Sequence, residues 1–249
     1  ATGDMNQKIA AVLDAMANSP TNSGQQELLN AFNSSVNQAE FNESLHQMMP
    51  IANALIYDMQ MQNIVFTKLS SRVASVRDDW QRLLPSTGIS AGDLNPDNSI
   101  WISTTGNITS QNARQDDDGY NAKTSLFLLG MDTHTNNYTV GMAGGYSYSR
   151  VREYSNKDFR NNIIRYHGLF YGTNYGGNKF VDWLFSGSYN NNMASRYINV
   201  SGNNFSTRGY YNGFQAATKW LAGINCDFAD TYRVVPFAFL QYVFLRQNS

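Results

Sequence analysis

Few residues of this chain could carry out covalent or metal chemistry. The three histidines, His46, His134 and His167, stand far apart, and the single cysteine is Cys226. No His-x-x-x-His or Cys-x-x-Cys spacing, Gly-rich phosphate loop or Gly-x-Ser-x-Gly elbow assembles a ligand set or a nucleophile. One cysteine excludes an intramolecular disulfide and any cysteine-rich metal centre. The run Asp116-Asp117-Asp118 could hold a cation weakly, but its polar surroundings read as a solvated loop. No catalytic residue, cofactor or metal is therefore predicted.

The informative charges sit inside alternating patterns. In residues 139–149 one set is Val140, Met142, Gly144, Tyr146 and Tyr148, with Tyr138 just before it. The other set is Thr139, Gly141, Ala143, Gly145, Ser147 and Ser149. A strand places these sets on opposite faces. An apolar face ending in aromatics opposite a small, polar face is how a membrane-barrel strand reads. The same alternation puts Phe127, Leu129 and Met131 opposite Leu128, Gly130 and Asp132. It puts Val181, Trp183, Phe185 and Tyr189 opposite Asp182, Leu184, Ser186 and Asn190. It puts Phe214, Ala216, Trp220 and Ala222 opposite Gln215, Ala217 and Lys219. Asp132, Asp182 and Lys219 all fall on the side away from lipid; on the lipid face a charge would be costly, about 2–4 kcal/mol at the membrane midplane for Lys or Arg.

About seven strand-like segments carry this signal: 99–110, 119–132, 137–149, 160–174, 178–190, 207–225 and 231–246. The register of the fourth and seventh is ambiguous, because both alternating sets contain apolar residues. The connections 133–136, 175–177 and 226–230 are short, whereas 111–118, 150–159 and 191–206 are longer and polar. Up-and-down membrane barrels sort their loops by end in this way. Composition agrees. Of 249 residues 13% are aromatic, and only 15% are charged, against roughly 25% in ordinary soluble domains. A net charge of −1 gives no electrostatic footprint for nucleic acid. No run of about 18 apolar residues exists, so a membrane assignment requires strands.

Upstream the periodicity is helical. Asp4 can cap a helix with Met5, Ile9, Val12, Leu13 and Met16 on one face. Ser23-x-x-Gln26 is a capping-box pattern before Leu28, Leu29 and Phe32. Asn37 or Glu40 can open another helix, with Phe41, Leu45, Met48 and Met49 at helical spacing. From Ile51 the pattern can run unbroken to Arg77. Residues 60–77 mix Gln60, Gln62, Asn63, Thr67, Lys68, Ser70, Ser71 and Arg72 with Ile64, Val65, Phe66 and Leu69. Lys68 and Arg72, four apart, share a face. This is either an ordinary amphipathic helix on a small core or a helix threaded through a polar lumen. Residues 78–98, with Pro85, Gly88, Gly92 and Pro96, read as a linker. The expected division is a helical region at 1–59, a candidate pore helix at 60–77, the linker at 78–98 and a barrel region at 99–249.

The order of motifs resembles the β-domain of bacterial autotransporters, type V secretion. The first strand carries Trp101 in Ser99-Ile100-Trp101-Ile102, and the second ends in Gly130-Met131-Asp132. A Gly-rich third strand follows at 140–147, then Tyr166-His167-Gly168-Leu169-Phe170-Tyr171-Gly172. Val181-Asp182-Trp183 leads to Ser195-Arg196, and the last segment centres on Pro236. Upstream, Leu45-His46-Gln47-Met48-Met49-Pro50 resembles the element that precedes such barrels. The resemblance implies a mainly β fold, an antiparallel up-and-down transmembrane β-barrel with an α-helical segment partly threading its pore. It implies an outer-membrane location in a Gram-negative bacterium, with the N-terminal side toward the cell surface. The implied partners are outer-membrane lipid, an upstream passenger domain of the same protein and the barrel assembly machinery. Residues 60–77 then become the pore helix. The expected pore-lining residues are Lys68, Arg72, Asp132, Asp182 and Lys219, with Lys68 and Arg72 meeting Asp132 or Asp182. Family barrels have about twelve strands, an even number as in other bacterial barrels, whereas about seven are legible before Ser249. The chain opens Ala1-Thr2-Gly3-Asp4. A processed or partial product, or an incomplete remnant, is expected. Some autotransporters cleave themselves at paired Asn in the pore helix. Here that helix offers Asn63 without a paired Asn, so self-cleavage is not expected. The predicted role is translocator and anchor, not enzyme. The alternatives are a surface adhesin, a barrel protease or a soluble ligand-binding barrel with a helical cap.

Overall fold

The computed structural model describes residues 11, 13–15, 17–18, 23–34, 53–82, 98–112, 119–135, 137–153, 159–200, 203–228 and 232–248. Among the described residues two helices precede nine strands. They are α1 (Ser23–Asn33) and α2 (Asn53–Arg82). The strands are β1 (Asn98–Gln111), β2 (Tyr120–His134), β3 (Tyr138–Glu153), β4 (Arg160–Gly176), β5 (Lys179–Val200), β6 (Asn203–Ile224), β7 (Cys226–Phe228), β8 (Tyr232–Val234) and β9 (Phe237–Asn248). Helical residues also occur within 11–18. The helix expected from Asn37 or Glu40, the Asp116–Asp118 run and His46 lie outside the described residues.

Seven strands form one antiparallel sheet in the order β1-β2-β3-β4-β5-β6-β9. Each strand pairs with its sequence neighbour, apart from the small β7–β8 hairpin inserted between β6 and β9. This is the up-and-down arrangement that short reversals impose. Among the described residues the sheet is open, with β1 and β9 as its edges. The pairing has no register slip from Gln111↔Tyr120 to Asn98↔Thr133, and the same holds across every later pair of the sheet. One face of every strand therefore lies on one side of the sheet.

That alternation settles the two ambiguous segments. In β4 the helix side receives Asn161, Ile163, Arg165, His167, Leu169, Tyr171 and Thr173, all buried. In β9, Val243 packs against the buried core and Gln241 reaches α2, which leaves Leu240, Tyr242 and Phe244 outside. The outer face is apolar and aromatic. Met142, Tyr146, Tyr166, Phe170, Phe185, Tyr189, Phe214 and Trp220 are all exposed there. On β3 this band runs from Tyr138 to Tyr148. Ten residues of strand measure roughly 33 Å, and a tilt of about 40° reduces that to about 25 Å of height, the thickness of a barrel's lipid-facing band.

Three local expectations differ from the structure. The long polar loop expected at 191–206 is mostly paired strand, because β5 and β6 pair as far as Val200↔Asn203. Its many Asn and Ser residues suit a solvated two-stranded ribbon as well as they suit a loop. The connection expected at 226–230 instead begins a short hairpin, β7–β8. His134 is not in a turn but is the buried last residue of β2.

Candidate functional site

The helix α2 lies along one face of the sheet and contacts β3, β4 and β5. It begins at Asn53 and runs through 60–77 to Arg82, so the expected linker starts inside it and its residues 83–97 lie outside the described residues. Every fourth or third residue of its middle, Met61, Val65, Phe66, Leu69 and Val73, is buried. This stripe of helical period faces Leu126, Leu128, Ala143, Leu169, Tyr171, Leu184 and Ala217 from alternate positions of five strands. Full burial of each large aliphatic or aromatic side chain contributes about 1.5–3 kcal/mol. The helix–sheet contact thus has a buried, largely apolar layer at its centre.

Polar layers flank that centre. Near the helix start, the Tyr57 hydroxyl lies 2.8 Å from Thr124 Oγ1, and Tyr120 donates to Gln60 Oε1 at 2.8 Å. Asp58 forms an ion pair with Arg165 of β4, and both side chains are buried. Gln247 Nε2 donates to the second Asp58 oxygen at 3.4 Å. This layer sits beside the β2–β3 and β4–β5 positions nearest the long connections.

Toward the other end of the helix, Arg72 grips Asp132 with two nitrogens, Nε to Oδ2 at 2.9 Å and Nη2 to Oδ1 at 2.8 Å. Such a two-point fork fixes orientation as well as distance. Asp132 is further held by Ser99, by Tyr171, which donates to Oδ2 at 2.9 Å, and by His134, whose Nε2 is 3.0 Å away. Trp101 Nε1 in turn donates to the Tyr171 hydroxyl at 2.6 Å. Two glycines make room for this network. A Cβ on Gly130 would overlap the Trp101 ring, and one on Gly141 would overlap the Tyr171 ring. Each pair is directly cross-strand, Trp101↔Gly130 and Gly141↔Tyr171. An aromatic laid over a glycine of the neighbouring strand is a device that pins register. One turn further along the helix, Arg77 Nη1 donates to Asp182 Oδ1 at 2.7 Å, with its guanidinium 3.5 Å from the Phe180 ring centroid.

The five residues singled out from the sequence are thus distributed as follows. Asp132, Asp182 and Lys219 are on the helix side of the sheet, and Arg72 meets Asp132. Asp182 is met by Arg77 rather than by Lys68 or Arg72, because Arg77 lies one turn closer to the β5 end that bears Asp182. Lys68 is half-buried and, among the described residues, enters no ion pair. Lys219 lies 5.0 Å from the Phe239 ring centroid. Three charged partners escaped the sequence reading, Asp58, Arg77 and Arg165. Arg165 is one of the largest fully buried side chains. A charged residue at the third inward position of β4 was the available signal, had the register of that strand been fixed.

Among the described residues no group of three or more His, Cys, Asp and Glu side chains could hold a metal ion. No described helix is long and apolar enough to cross a membrane, which says nothing about crossing by strands.

Comparison with known proteins supplies the family. The chain resembles the translocator domain of the autotransporter NalP from Neisseria meningitidis with a TM-score of 0.55 at 17% identity. The match covers 76% of this chain and 61% of that one, so the chain spans about three fifths of its relative's length. The β-domain of the Bordetella autotransporter BrkA is also matched, with a TM-score of 0.33 and 10% identity over 61% of this chain and 81% of that one. A search of curated sequences gives no match. At such identities the NalP likeness speaks for the fold, an open portion of a translocator barrel with a preceding helix. Membership rests on the sequence itself: the autotransporter β-domain family matches residues 100–249, and the chain belongs to that family.

Proposed function

We propose that this chain forms part of an outer-membrane translocator that anchors and exports an upstream passenger segment of the same protein. The observation that carries the reading is the course of α2. The helix is held to one sheet face by three buried or half-buried ion pairs, Asp58–Arg165, Arg72–Asp132 and Arg77–Asp182. Across β2–β6 the other face carries an apolar and aromatic band. A helix on the side that carries the buried charges and lipid on the opposite, exposed apolar side is the division that a helix threaded through a barrel requires. Lys68, Arg72, Asp132, Asp182 and Lys219 would line the lumen, joined by Asp58 and Arg165. The helix would enter from the long-hairpin end and leave at the short-turn end, where β1 begins. With the long hairpins outside, the N-terminal side faces the cell surface of a Gram-negative bacterium. Outer-membrane lipid and the barrel assembly machinery are the partners this role implies. The role is transport and anchoring, and no step of it requires catalysis by this chain.

Labelling of intact cells tests the reading. In a Cys226→Ser background, Gln26→Cys on α1 and Ser206→Cys on β6 should react with a membrane-impermeant maleimide. Asn178→Cys, in the β4–β5 turn, should react only after the outer membrane is opened. Labelling of Asn178→Cys alone in intact cells would reverse the topology, and labelling of none after opening the membrane would remove the exposure on which it rests.

A further inference from the structure

A band of cations crowns the outer face at the long-hairpin end. Lys123 on β2 stands directly opposite Arg150 on β3, and Arg152 stands directly opposite Arg160 on β4. Arg160 is opposite Ser195, which is opposite Arg208 on β6, so a fifth cation joins the same row. All five side chains are exposed. The alternation of the strands places each on the outer side, with Tyr148, Tyr166 and Phe214. The carboxylates of β1–β6, namely Asp132, Glu153 and Asp182, all lie on the helix side and are buried. Like charges directly opposite in a sheet are destabilising, and two such pairs occur side by side with no acidic residue of these strands on their face. At the short-turn end the outer face of β1–β6 carries one cation, Lys179.

The height of the band identifies what it meets. Arg150 and Arg152 are one and two residue pairs beyond Tyr148, the upper edge of the apolar belt. That is roughly 7 and 13 Å along the strand, or about 5–10 Å of height at barrel tilt. The headgroup layer extends about 5–7 Å beyond the hydrocarbon core, so Arg150 lies at its depth and the Arg152 row stands just above it, where a long Arg side chain can still reach down to a phosphate. The lower side of the band is continuous with the lipid-facing surface.

We propose that Lys123, Arg150, Arg152, Arg160 and Arg208 form a binding site for a lipid that carries at least two phosphate groups, in the leaflet at the long-hairpin end. One phosphate relieves the Lys123–Arg150 pair and another the Arg152–Arg160 pair, with charge-assisted hydrogen bonds from the guanidinium groups. The proposal rests on the membrane-barrel reading and adds a lipid preference to it.

The test is lipid titration of the full chain in zwitterionic detergent, read by native mass spectrometry, with a bisphosphorylated glycolipid and phosphatidylcholine as probes. Flotation with phosphatidylcholine vesicles is run in parallel. Each cation near an anionic surface contributes about fivefold to affinity at low salt. The variant Lys123→Gln/Arg150→Gln/Arg152→Gln/Arg160→Gln should therefore lose a hundredfold or more for the bisphosphorylated lipid. Its phosphatidylcholine binding should be unchanged. Arg150→Lys/Arg152→Lys/Arg160→Lys should stay within about tenfold of the parent, and Lys179→Gln should match it. Equal affinities of the parent for the two lipids, or of the quadruple variant and the parent for the bisphosphorylated lipid, would overturn the proposal alone. A parent chain that does not float with vesicles would overturn the membrane reading, and the lipid site with it.

Discussion

The Asp58–Arg165 pair sets a sharp energetic test of the helix–sheet contact. The two side chains are 4% and 1% exposed, so neither charge is solvated by bulk water. Asp58→Asn leaves the Arg165 guanidinium buried without a counter-charge, which costs about 3–5 kcal/mol. Gln215 and Gln247 also approach Asp58, through its backbone oxygen and its carboxylate, and neither can supply the missing charge. Arg165→Met alone strands the Asp58 carboxylate in the same way. The double variant Asp58→Leu/Arg165→Met removes both desolvation penalties together and should lie within about 1–2 kcal/mol of the parent. Amide hydrogen exchange of α2 in detergent-extracted protein reads the difference directly. Protection of residues 57–66 should fall by two to three orders of magnitude in Asp58→Asn and recover most of it in the double variant, at roughly 1.4 kcal/mol per tenfold. A fall of less than fivefold in Asp58→Asn, or a double variant as weak as the two single losses summed, would refute the buried-pair reasoning.

Other perturbations separate the remaining contributions. Leu69→Ala empties the centre of the apolar layer and should destabilise the helix–sheet contact by about 2–5 kcal/mol, measured as a shift in thermal unfolding. Gly141→Ala drives a Cβ into the Tyr171 ring and should cost about 1–3 kcal/mol, while Gly187→Ala, with nothing within 4 Å of the new atom, should stay within about 0.5 kcal/mol of the parent. Equal effects of the two alanines on unfolding would contradict the glycine–aromatic packing. Phe185→Arg places a charge on the outer band and should cost about 2–4 kcal/mol in refolding into vesicles, and a neutral result would argue against lipid on that face.

Most of the sheet was legible because period-two patterning has one dominant solution wherever one face is apolar. The 139–149 stretch, and the sets around Phe127, Phe185 and Phe214, gave strand identity, face and order. The fourth and seventh segments withheld their register for a physical reason. In β4 the helix side carries Ile163, Leu169 and Tyr171 and the outer side carries Ile164, Tyr166 and Phe170, so hydrophobicity alone does not choose. The inner face of this sheet is largely apolar at its centre because the apolar stripe of α2 packs against it. That also hid Arg165, whose partner Asp58 lies just before the segment assigned to the pore. The pairing of Arg72 with Asp132 followed from two charges that both needed a partner away from lipid. Arg77 taking Asp182 depended on how far along the strands each helix turn falls, which sequence spacing within the helix does not contain. The ribbon formed by β5 and β6 was hidden because Asn- and Ser-rich strands without a clear apolar alternation look like loops.

The most direct test of the central claim is a cysteine cross-link formed in the native outer membrane. In a Cys226→Ser background, Gln62→Cys on the helix is paired with Ser186→Cys on the helix side of β5, where Ser186 Oγ donates to Gln62 Oε1 at 3.3 Å. The control pairs Gln62→Cys with Phe185→Cys, one residue away on the outer face. Mild oxidation of intact envelopes should join the first pair nearly completely and leave the control reduced. Cross-linking of the control, or of neither pair, would contradict a helix held inside the barrel wall.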